Sequence, residues 1–537
     1  MPLEQLGRKL YPPGVPVEID IPAWRVFDLL KNSVEKYPDK NALLFYQYQR
    51  TYSQLWEDVN RFARALQDRG LNPGDRVALM LPNCPQYVVA YYGALLVGGV
   101  VTQINPLLVA TEVQALLEDS GSRAIIALDG VLPRVQAIRS LTALEIVVGV
   151  NLEGKSVTVE GVEDFMALMA SVTDPRPFAV EVRSEDPAVL QYTGGTTGRS
   201  KGAVLSHRNL VANVLQMHAF NELYPGEERS LAVIPLFHVY GMTVVMNLGV
   251  HLGGTMVLLP RFNLSEVLDA IQTQQVTLWP GVPTMYVALL QVPRLDPASV
   301  ASIRLCNSGS APMPIDVMYQ FEEKTGATIL EGYGLTEASP TTHAHASWMP
   351  RKPGTVGIAL PSTEFRIVDL ESHQDLGPGE LGELWVRGPQ VMKEYWNRPT
   401  ETSETLVDGG WLRTGDLASC DSEGYLSIVD RLKDLIIASG YNVYPREIEE
   451  VLYQHPQVLE AVVVGAPDPY RGETVRAVVV PKPGSNLDDK ELTRYLADHL
   501  AVYKRPTIIE FRSELPKTAV GKILRRVVRD ESPTSLG

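Results

Sequence analysis

Apolar and polar residues follow two different periods along the first third of the chain. One set of apolar residues recurs at helical spacing before Gly70, which is a typical stop signal: Leu55, Val59, Phe62, Ala63 and Leu66. Short continuous apolar runs at 77–81, 100–103, 124–128 and 146–150 predict buried strands. Pro85 is placed to begin another helix, directed toward Gly98. This alternation predicts an α/β fold whose mostly parallel sheet is covered by helices on both faces.

The second half of the chain predicts smaller units. Strands are expected at 231–234, 256–259, 365–368 and 383–387, and the last two flank a Gly-Pro-Gly turn at 377–379, which indicates a smaller β-rich subdomain. A charged segment, 430–434, separates two apolar stretches. Beyond it, helices are predicted at 446–453 and 489–500 and strands at 458–464, 474–480 and 507–511. We therefore predict a large domain, 1–430, and a small α+β domain, 431–537, of a size that can fold by itself.

Composition narrows the class of protein. The 537 residues are 45% hydrophobic and 21% charged, with 48 basic and 63 acidic side chains and a net charge of −15. Such an acidic chain is a poor candidate for a nucleic-acid-binding protein. Its three cysteines show no CxxC spacing, and the first twenty residues lack the apolar run of a signal peptide. We expect a cytoplasmic protein with reduced thiols, and transient contact with a membrane surface stays open.

A glycine- and threonine-rich segment after residues 188–190 carries the strongest chemical signal. It reads Thr193, Gly194, Gly195, Thr196, Thr197, Gly198, Arg199, Ser200, Lys201, Gly202. Glycines let the backbone approach a ligand, hydroxyls donate hydrogen bonds, and a lysine adds positive charge. The GK[ST] sequence of P-loop ATPases is missing, because glycine follows Lys201. The segment therefore predicts a phosphate-binding loop of another kind.

The same segment fits a second pattern. Residues 198–202 match G-x-S-x-G, the nucleophile elbow of α/β-hydrolases, with Ser200 as the nucleophile. In an elbow the serine directly follows a strand, whereas six polar or glycine residues, 193–198, intervene here. A hydrolase is therefore a disfavoured alternative from another functional class.

Further motifs occur in a characteristic order. They are NSGSAP at 307–312, EGYGLTE at 331–337, RTGD at 413–416 and PKTAVGK at 516–522. With YTGGTTG at 192–198, they make the chain resemble the adenylate-forming superfamily of acyl-CoA synthetases, luciferases and adenylation domains, from about Phe27 to Arg526. Bacterial long-chain fatty acid–CoA ligases are the most similar group. The chain departs from the commoner family loop at Arg199 and Ser200, where a proline usually precedes the lysine.

The resemblance implies an ATP-dependent acyl-CoA synthetase. A fatty acid, with medium to long chains favoured, would react with ATP to give an acyl-adenylate and pyrophosphate. Coenzyme A would then displace AMP to give acyl-CoA, with Mg²⁺ as cofactor and ATP and CoA as co-substrates. An aryl acid–CoA ligase of the 4-coumarate type is the alternative within the class. A carrier protein replacing CoA stays open, and so does a homodimer.

The resemblance also assigns residues to the nucleotide. Tyr333 would stack on adenine, Asp416 and Arg431 would bind ribose, Thr336 would contact the α-phosphate, and Glu337 would hold Mg²⁺. The remaining implied ATP/AMP-binding residues are Thr193, Gly194, Gly195, Thr196, Thr197, Gly198, Lys201, Gly309, Ser310, Ala311, Glu331, Gly332 and Gly334.

Other residues are assigned to catalysis, domain movement and the acyl group. Lys522 would serve adenylation, and the small domain would rotate about Lys433. Rotation would bring the CoA-binding residues to the thioester step: Ser439, Gly440 and Tyr441. His238 would lie near the reacting carboxylate, beside an acyl wall of Val239, Tyr240, Gly241 and Met242. Residues 235–246 contain no Asp to pair with an ammonium group, which disfavours amino acids. Their apolar character suits an alkyl chain, whereas Tyr240 leaves the aryl alternative open. His343 and His345 are expected to be loop residues rather than metal ligands.

Overall fold

A computed structural model describes residues 2–193, 200–407, 409–438, 441–468 and 472–531. Its helices are α1 (Glu4–Arg8), α2 (Val26–Lys36), α3 (Tyr52–Asp68), α4 (Pro85–Leu96), α5 (Ala110–Ser120), α6 (Leu132–Ile138), α7 (Phe165–Ala170), α8 (His207–Phe220), α9 (Leu248–His251), α10 (Leu264–Gln274), α11 (Pro283–Leu290), α12 (Ile315–Thr325), α13 (Pro399–Thr405), α14 (Pro445–Gln454), α15 (Asp489–His499) and α16 (Arg525–Asp530). A π-helical segment, Gly241–Asn247, precedes α9.

The strands are β1 (Asn41–Phe45), β2 (Tyr48–Thr51), β3 (Arg76–Met80), β4 (Val100–Gln103), β5 (Ala124–Leu128), β6 (Ile146–Val150), β7 (Glu163–Asp164), β8 (Pro187–Thr193), β9 (Lys201–Ser206), β10 (Arg229–Ala232), β11 (Thr255–Leu258), β12 (Leu278–Gly281), β13 (Leu305–Ser308), β14 (Ile329–Gly334), β15 (Thr341–Ala344), β16 (Ile358–Ala359), β17 (Glu364–Val368), β18 (Gly382–Arg387), β19 (Glu394–Tyr395), β20 (Leu406–Val407), β21 (Trp411–Cys420), β22 (Leu426–Arg431), β23 (Ile436–Ala438), β24 (Tyr441–Val443), β25 (Val458–Asp468), β26 (Gly472–Pro481) and β27 (Ile508–Phe511).

Two large sheets form the centre of the molecule. The first has the order β19-β9-β8-β4-β3-β5-β6-β7 and the second the order β16-β15-β14-β13-β12-β10-β11-β1-β2. Most neighbours in both sheets are parallel, but β8 pairs antiparallel with β9, and β14 antiparallel with β15. The strand direction reverses at both of these pairs. The predicted phosphate loop connects β8 to β9, and the EGYGLTE motif begins in β14 and precedes β15.

Two smaller sheets follow. One is antiparallel, with the order β17-β18-β21-β20 and β22 on β21. The other, β24-β23-β26-β25 with β27 parallel on β26, belongs to the C-terminal part. Its two faces carry separate apolar clusters, one including Ile448 of α14 and Leu492 of α15, the other including Val528 of α16. This part therefore has a core of its own, as a small α+β domain requires.

Local sequence explains where the main helices begin. At the start of α3, Gln54 N–H donates to Thr51 Oγ1 at 3.3 Å, and Thr51 N–H donates to Gln54 Oε1 at 3.0 Å. This reciprocal capping box satisfies two backbone donors at the helix N-terminus. Ser206 and Asn209 form the same arrangement at α8, which fixes the exit of the chain from β9 at the end of the strand opposite Lys201.

The predicted fold class is confirmed, and the predicted elements recur within a few residues. Strands β3 to β6, helices α3, α4, α14 and α15, and strands β25 to β27 all lie where the pattern placed them. The division into two large sheets was not predicted: strands β10 to β16 join β1 and β2 in the second sheet. The division at residues 430 and 431 stays a prediction. Among the described residues, no helix combines the length and apolarity needed to cross a bilayer.

Candidate active site

A tyrosine, an aspartate and an arginine meet where the second and third sheets adjoin. Tyr333, in β14, donates its hydroxyl to Asp416 Oδ2 at 2.5 Å. Arg431 Nε lies 3.1 Å from Asp416 Oδ1, because the two residues are register partners on β21 and β22. Burial, and then the Asp416 charge, raises the pKa of Tyr333 well above its usual range. The structure thus brings together the three residues assigned to adenine and ribose, with an oriented carboxylate among them.

A second group forms beside the phosphate loop. Thr193 ends β8 and Lys201 begins β9, and the two are register partners across the loop. The Lys201 ammonium lies over the Tyr395 ring, 5.1 Å from its centroid. Tyr395 donates its hydroxyl to Glu337 Oε1 at 2.6 Å. Glu337 follows Thr336 in a short turn. Through Tyr395, it is therefore connected to Lys201 at the end of the loop. The predicted loop residues Gly194, Gly195, Thr196, Thr197 and Gly198 lie outside the described residues.

Tyr395 is a residue that sequence reasoning missed. It lies in the two-residue strand β19, which pairs with β9 at Ala203. Neither a motif nor a hydrophobic period marks it. Only the sheet pairing brings its hydroxyl to Glu337, and burial together with the Glu337 charge raises its pKa.

The carboxylate of Glu337 fits a magnesium ion. One oxygen accepts from Tyr395, and the other has no hydrogen-bond partner among the described residues. No cluster of three or more metal-ligating side chains occurs in the part of the chain that the structure describes. Mg²⁺ usually keeps several waters and uses one or two carboxylates together with substrate phosphates. A single carboxylate beside a phosphate loop is therefore a suitable donor set.

The small-residue segment Gly309, Ser310, Ala311 follows β13. A buried carboxyl group, that of Glu331, fixes the backbone just after this segment. Ser310 has a φ of 66°, so the backbone turns sharply there. Glu331, in β14 before Gly332 and Gly334, accepts the backbone N–H of Met313 on Oε1 at 3.0 Å. Burial raises the pKa of Glu331 to about 7. The role of Glu331 visible here is to fix the end of this segment.

The acyl wall assigned by the resemblance lies against that segment. Tyr240 donates its hydroxyl to the Asn307 carbonyl at 3.0 Å, and its ring faces Gly309. Val239 and Met242 are buried, and the π-helical segment begins at Gly241. His238 Nδ1 accepts the backbone N–H of Tyr240 at 3.3 Å. Burial, helped by the Lys522 charge, lowers the pKa of His238 to about 4, so the imidazole is neutral near pH 7.

Lys522, from the C-terminal part, reaches this site. Thr284 Oγ1 donates to the carbonyl of Gly521 at 3.2 Å, which fixes the turn that carries the lysine. Burial, and then the charge of Arg431, lowers the pKa of Lys522 to about 7, while the Asp416 charge opposes the shift. The charge of the predicted catalytic lysine thus interacts with His238 and with the Asp416 group.

The predicted hinge residue Lys433 and the CoA-binding residue Tyr441 lie in the segment that follows β22. Lys433 is in a single 3-10 turn, Leu432–Asp434, between β22 and β23. Burial, and then Arg431, lowers its pKa. Tyr441 is exposed and stacks on Tyr503, with 4.8 Å between ring centroids. Ser439 and Gly440 lie outside the described residues. The structure does not bring Tyr441 to the Asp416 group.

Two other expectations can be compared with the structure. The prediction that His343 and His345 lie in a loop is wrong for His343, which is in β15 and packs edge-on against Phe365. Its strand pairing with Tyr333 was not visible in the sequence. Ser200 is exposed and precedes β9 rather than following a strand, which removes the geometry of a nucleophile elbow.

Known proteins share this arrangement. The AMP-binding enzyme family matches residues 30–396, and the AMP-binding enzyme C-terminal domain matches residues 447–522. The chain belongs to the AMP-binding enzyme family. The predicted membership is confirmed, and with it the prediction that the chain is an enzyme.

Individual members of the AMP-binding enzyme family cover nearly the whole chain. The chain is 43% identical to a long-chain-fatty-acid–CoA ligase from Bacillus subtilis (strain 168), over 97% of each chain. It is 39% identical to a long-chain-fatty-acid–CoA ligase from Escherichia coli O157:H7, again over 97% of each. Among solved structures, ATP-bound MatB from Rhodopseudomonas palustris has a TM-score of 0.88 and 32% identity, and the match covers 95% of this chain and 99% of that one.

Proposed function

We propose that this protein is an ATP-dependent acyl-CoA ligase that activates medium- to long-chain fatty acids. The observation that carries the proposal is that the Lys522 charge interacts with His238, with Arg431 and with Asp416, which is hydrogen-bonded to Tyr333. This supports a role for Lys522 between the residues assigned to the nucleotide and those assigned to the acyl group. The family membership and the fatty-acid ligases among the relatives support the same reaction.

In the adenylation step the carboxylate of the acid attacks the α-phosphorus of ATP, and the bond to pyrophosphate breaks. Negative charge grows on the α-phosphate oxygens during this step. Lys522 and Thr336 are positioned to stabilise it, while Lys201 and the loop from Thr193 hold the departing pyrophosphate. One such preorganised contact contributes about 3 kcal/mol to transition-state stabilisation. No residue of the chain needs to form a covalent bond.

Glu337 would hold Mg²⁺, and Tyr395 would orient its carboxylate through the hydroxyl hydrogen bond. When bound, the ion neutralises phosphate charge and polarises phosphoryl oxygens. Neutral His238 does not add a charge next to the substrate carboxylate. Because Nδ1 accepts the backbone N–H of Tyr240, the proton of the neutral ring is on Nε2, which can donate one hydrogen bond to the carboxylate and orient the nucleophile.

In the second step the CoA thiol attacks the acyl carbon, and AMP leaves. In the described orientation the small domain presents Lys522, whereas Tyr441 points to solvent. A rotation about Lys433 would move Lys522 away from the active site and bring Tyr441 toward it, so that one pocket serves both reactions. Ser439, Gly440 and Tyr441 would then contact CoA.

The fatty rather than aryl preference rests on the acyl wall. The residues from Val239 to Met242 are buried and lack a charge, and each buried methylene of a substrate contributes about 0.8 kcal/mol. The one proton of the Tyr240 hydroxyl is donated to Asn307 O, so it is not available to a ring hydroxyl of an aryl acid.

The cysteines Cys84, Cys306 and Cys420 are free and buried, which suits a cytoplasmic enzyme. Membrane contact and a homodimer stay predictions.

The experiment is pyrophosphate release with ATP, Mg²⁺ and CoA across straight-chain acids from acetate to stearate, with benzoate and 4-coumarate. We expect activity to peak among medium- to long-chain acids. Activity confined to the aromatic acids would overturn the substrate assignment. Absence of pyrophosphate release with every acid would overturn the proposed reaction.

A further inference from the structure

Helix α14 of the small domain is capped by a residue of the preceding sheet. The helix has no side-chain cap of its own, because its N-cap residue is Tyr444. Instead, the backbone N–H of Arg446 in its first turn donates to Asp430 Oδ2 at 3.0 Å. Asp430 lies in β22, before Lys433. An acidic group at a helix N-terminus satisfies a free donor and interacts favourably with the helix dipole.

The reverse arrangement occurs one turn further along α14. Helix α12, in the large domain, begins after Pro314 and also lacks a side-chain cap. Glu450 lies near the first residue of α12, Ile315, whose backbone opposes the increase in the Glu450 pKa that burial causes. Each domain therefore supplies a carboxylate to the N-terminus of a helix in the other, and α14 carries both contacts.

The Arg446 side chain joins the two caps. Its Nη1 donates to the Ile428 carbonyl in β22, and its Nε lies 3.8 Å from Glu450 Oε1. Its charge also acts on buried Glu331, which holds the small-residue segment at the active site. The contacts of Arg446 with Ile428 and Glu331 depend on the orientation of the small domain, because Ile428 and Glu331 precede Lys433 in the chain whereas Arg446 follows it.

We propose that α14 is a latch that holds the small domain in the orientation that presents Lys522, and that Asp430 and Glu450 are its positioning residues. The inference rests on the proposed two-step function. Rotation about Lys433 breaks both caps, so their strength sets the ratio of the two orientations. It therefore sets the ratio of the rates of the two half-reactions.

The test measures both half-reactions separately in single turnovers. Adenylation is followed as pyrophosphate release from ATP and dodecanoate without CoA. Thioester formation is followed from supplied dodecanoyl-AMP and CoA. Loss of one helix cap corresponds to roughly a tenfold shift in an equilibrium. Glu450→Ala and Asp430→Ala should each lower the ratio of adenylation to thioester formation by about that factor.

Glu447→Ala is the matched control. Glu447 is on the same helix, but it is exposed and pairs with Lys504 at 2.5 Å within the small domain. We expect this variant to keep the wild-type ratio. The latch is overturned if Glu450→Ala and Asp430→Ala keep that ratio, or if both half-reactions fall in parallel. A wild-type protein that performs neither half-reaction would instead overturn the proposed function.

Discussion

Replacing Lys522 by alanine separates the two steps of the proposed reaction. The ammonium is partly buried and interacts electrostatically with Asp416 and His238, so water is a poor replacement for its proposed interaction with the α-phosphate. Removing one such preorganised donor costs about 3 kcal/mol, which corresponds to a loss of about 10²-fold in the rate of adenylation. Since the pKa of Lys522 is about 7, about half of the free enzyme carries the ammonium charge at pH 7. This changes the expected loss in the adenylation rate by about twofold.

The assay is acyl-AMP formation in a single turnover, compared with conversion of supplied acyl-AMP and CoA to acyl-CoA. Lys522→Ala should impair the first and leave the second within about twofold. Lys517→Ala is the control, because Lys517 lies in the same segment and pairs with Glu460 at 2.7 Å. Equal loss of both steps in Lys522→Ala would refute the assignment of Lys522 to adenylation.

Three further predictions concern the metal, the pH profile and the hinge. Tyr395→Phe removes the donor to Glu337, so the Mg²⁺ concentration for half-maximal activity should rise on the order of tenfold in a metal titration. The active form of Lys522 is the ammonium, which is lost as pH rises, so kcat/KM of adenylation for ATP should fall above pH about 7. Lys522→Arg should lack this decline, because a guanidinium stays charged. Lys433→Pro restricts the hinge backbone and should lower thioester formation by on the order of tenfold while adenylation continues.

Each of these has a result that contradicts it. An unchanged Mg²⁺ titration in Tyr395→Phe would mean that the hydroxyl does not orient the metal carboxylate. The same alkaline decline in Lys522→Arg as in the wild type would assign the titration to another group. An unchanged thioester rate in Lys433→Pro would show that rotation does not take place at that residue.

The large-scale fold was predictable because its signals are local. Buried parallel strands such as β5 and β6 are continuous apolar runs, and α3 shows a clear helical period with Gly70 after it. The second sheet was not separated from the first, because the strands of both carry the same apolar signal. Which strands pair depends on contacts between distant segments, and a linear pattern does not report these.

The candidate site divides in the same way. Motif residues such as Asp416 and Lys522 could be named from the sequence, yet more than a hundred residues separate them in the chain, and the electrostatic interaction between them depends on the tertiary fold. Tyr395 and Glu450 carry no motif, because their importance comes only from the groups they face. His343 was assigned to a loop since Pro340 and the surrounding polar residues obscure the short strand β15. Tertiary pairing decided each of these positions.

The central claim is that the carboxylate oxygen of the acid becomes bonded to the α-phosphorus of ATP. Its most direct test uses dodecanoate labelled with ¹⁸O in both carboxyl oxygens, with ATP, Mg²⁺ and CoA, and mass spectrometry of the nucleotide product. The account predicts AMP that carries one ¹⁸O atom, unlabelled pyrophosphate, and dodecanoyl-CoA that keeps the other ¹⁸O atom in its carbonyl group. Unlabelled AMP, or ADP with labelled phosphate, would contradict an acyl-adenylate intermediate.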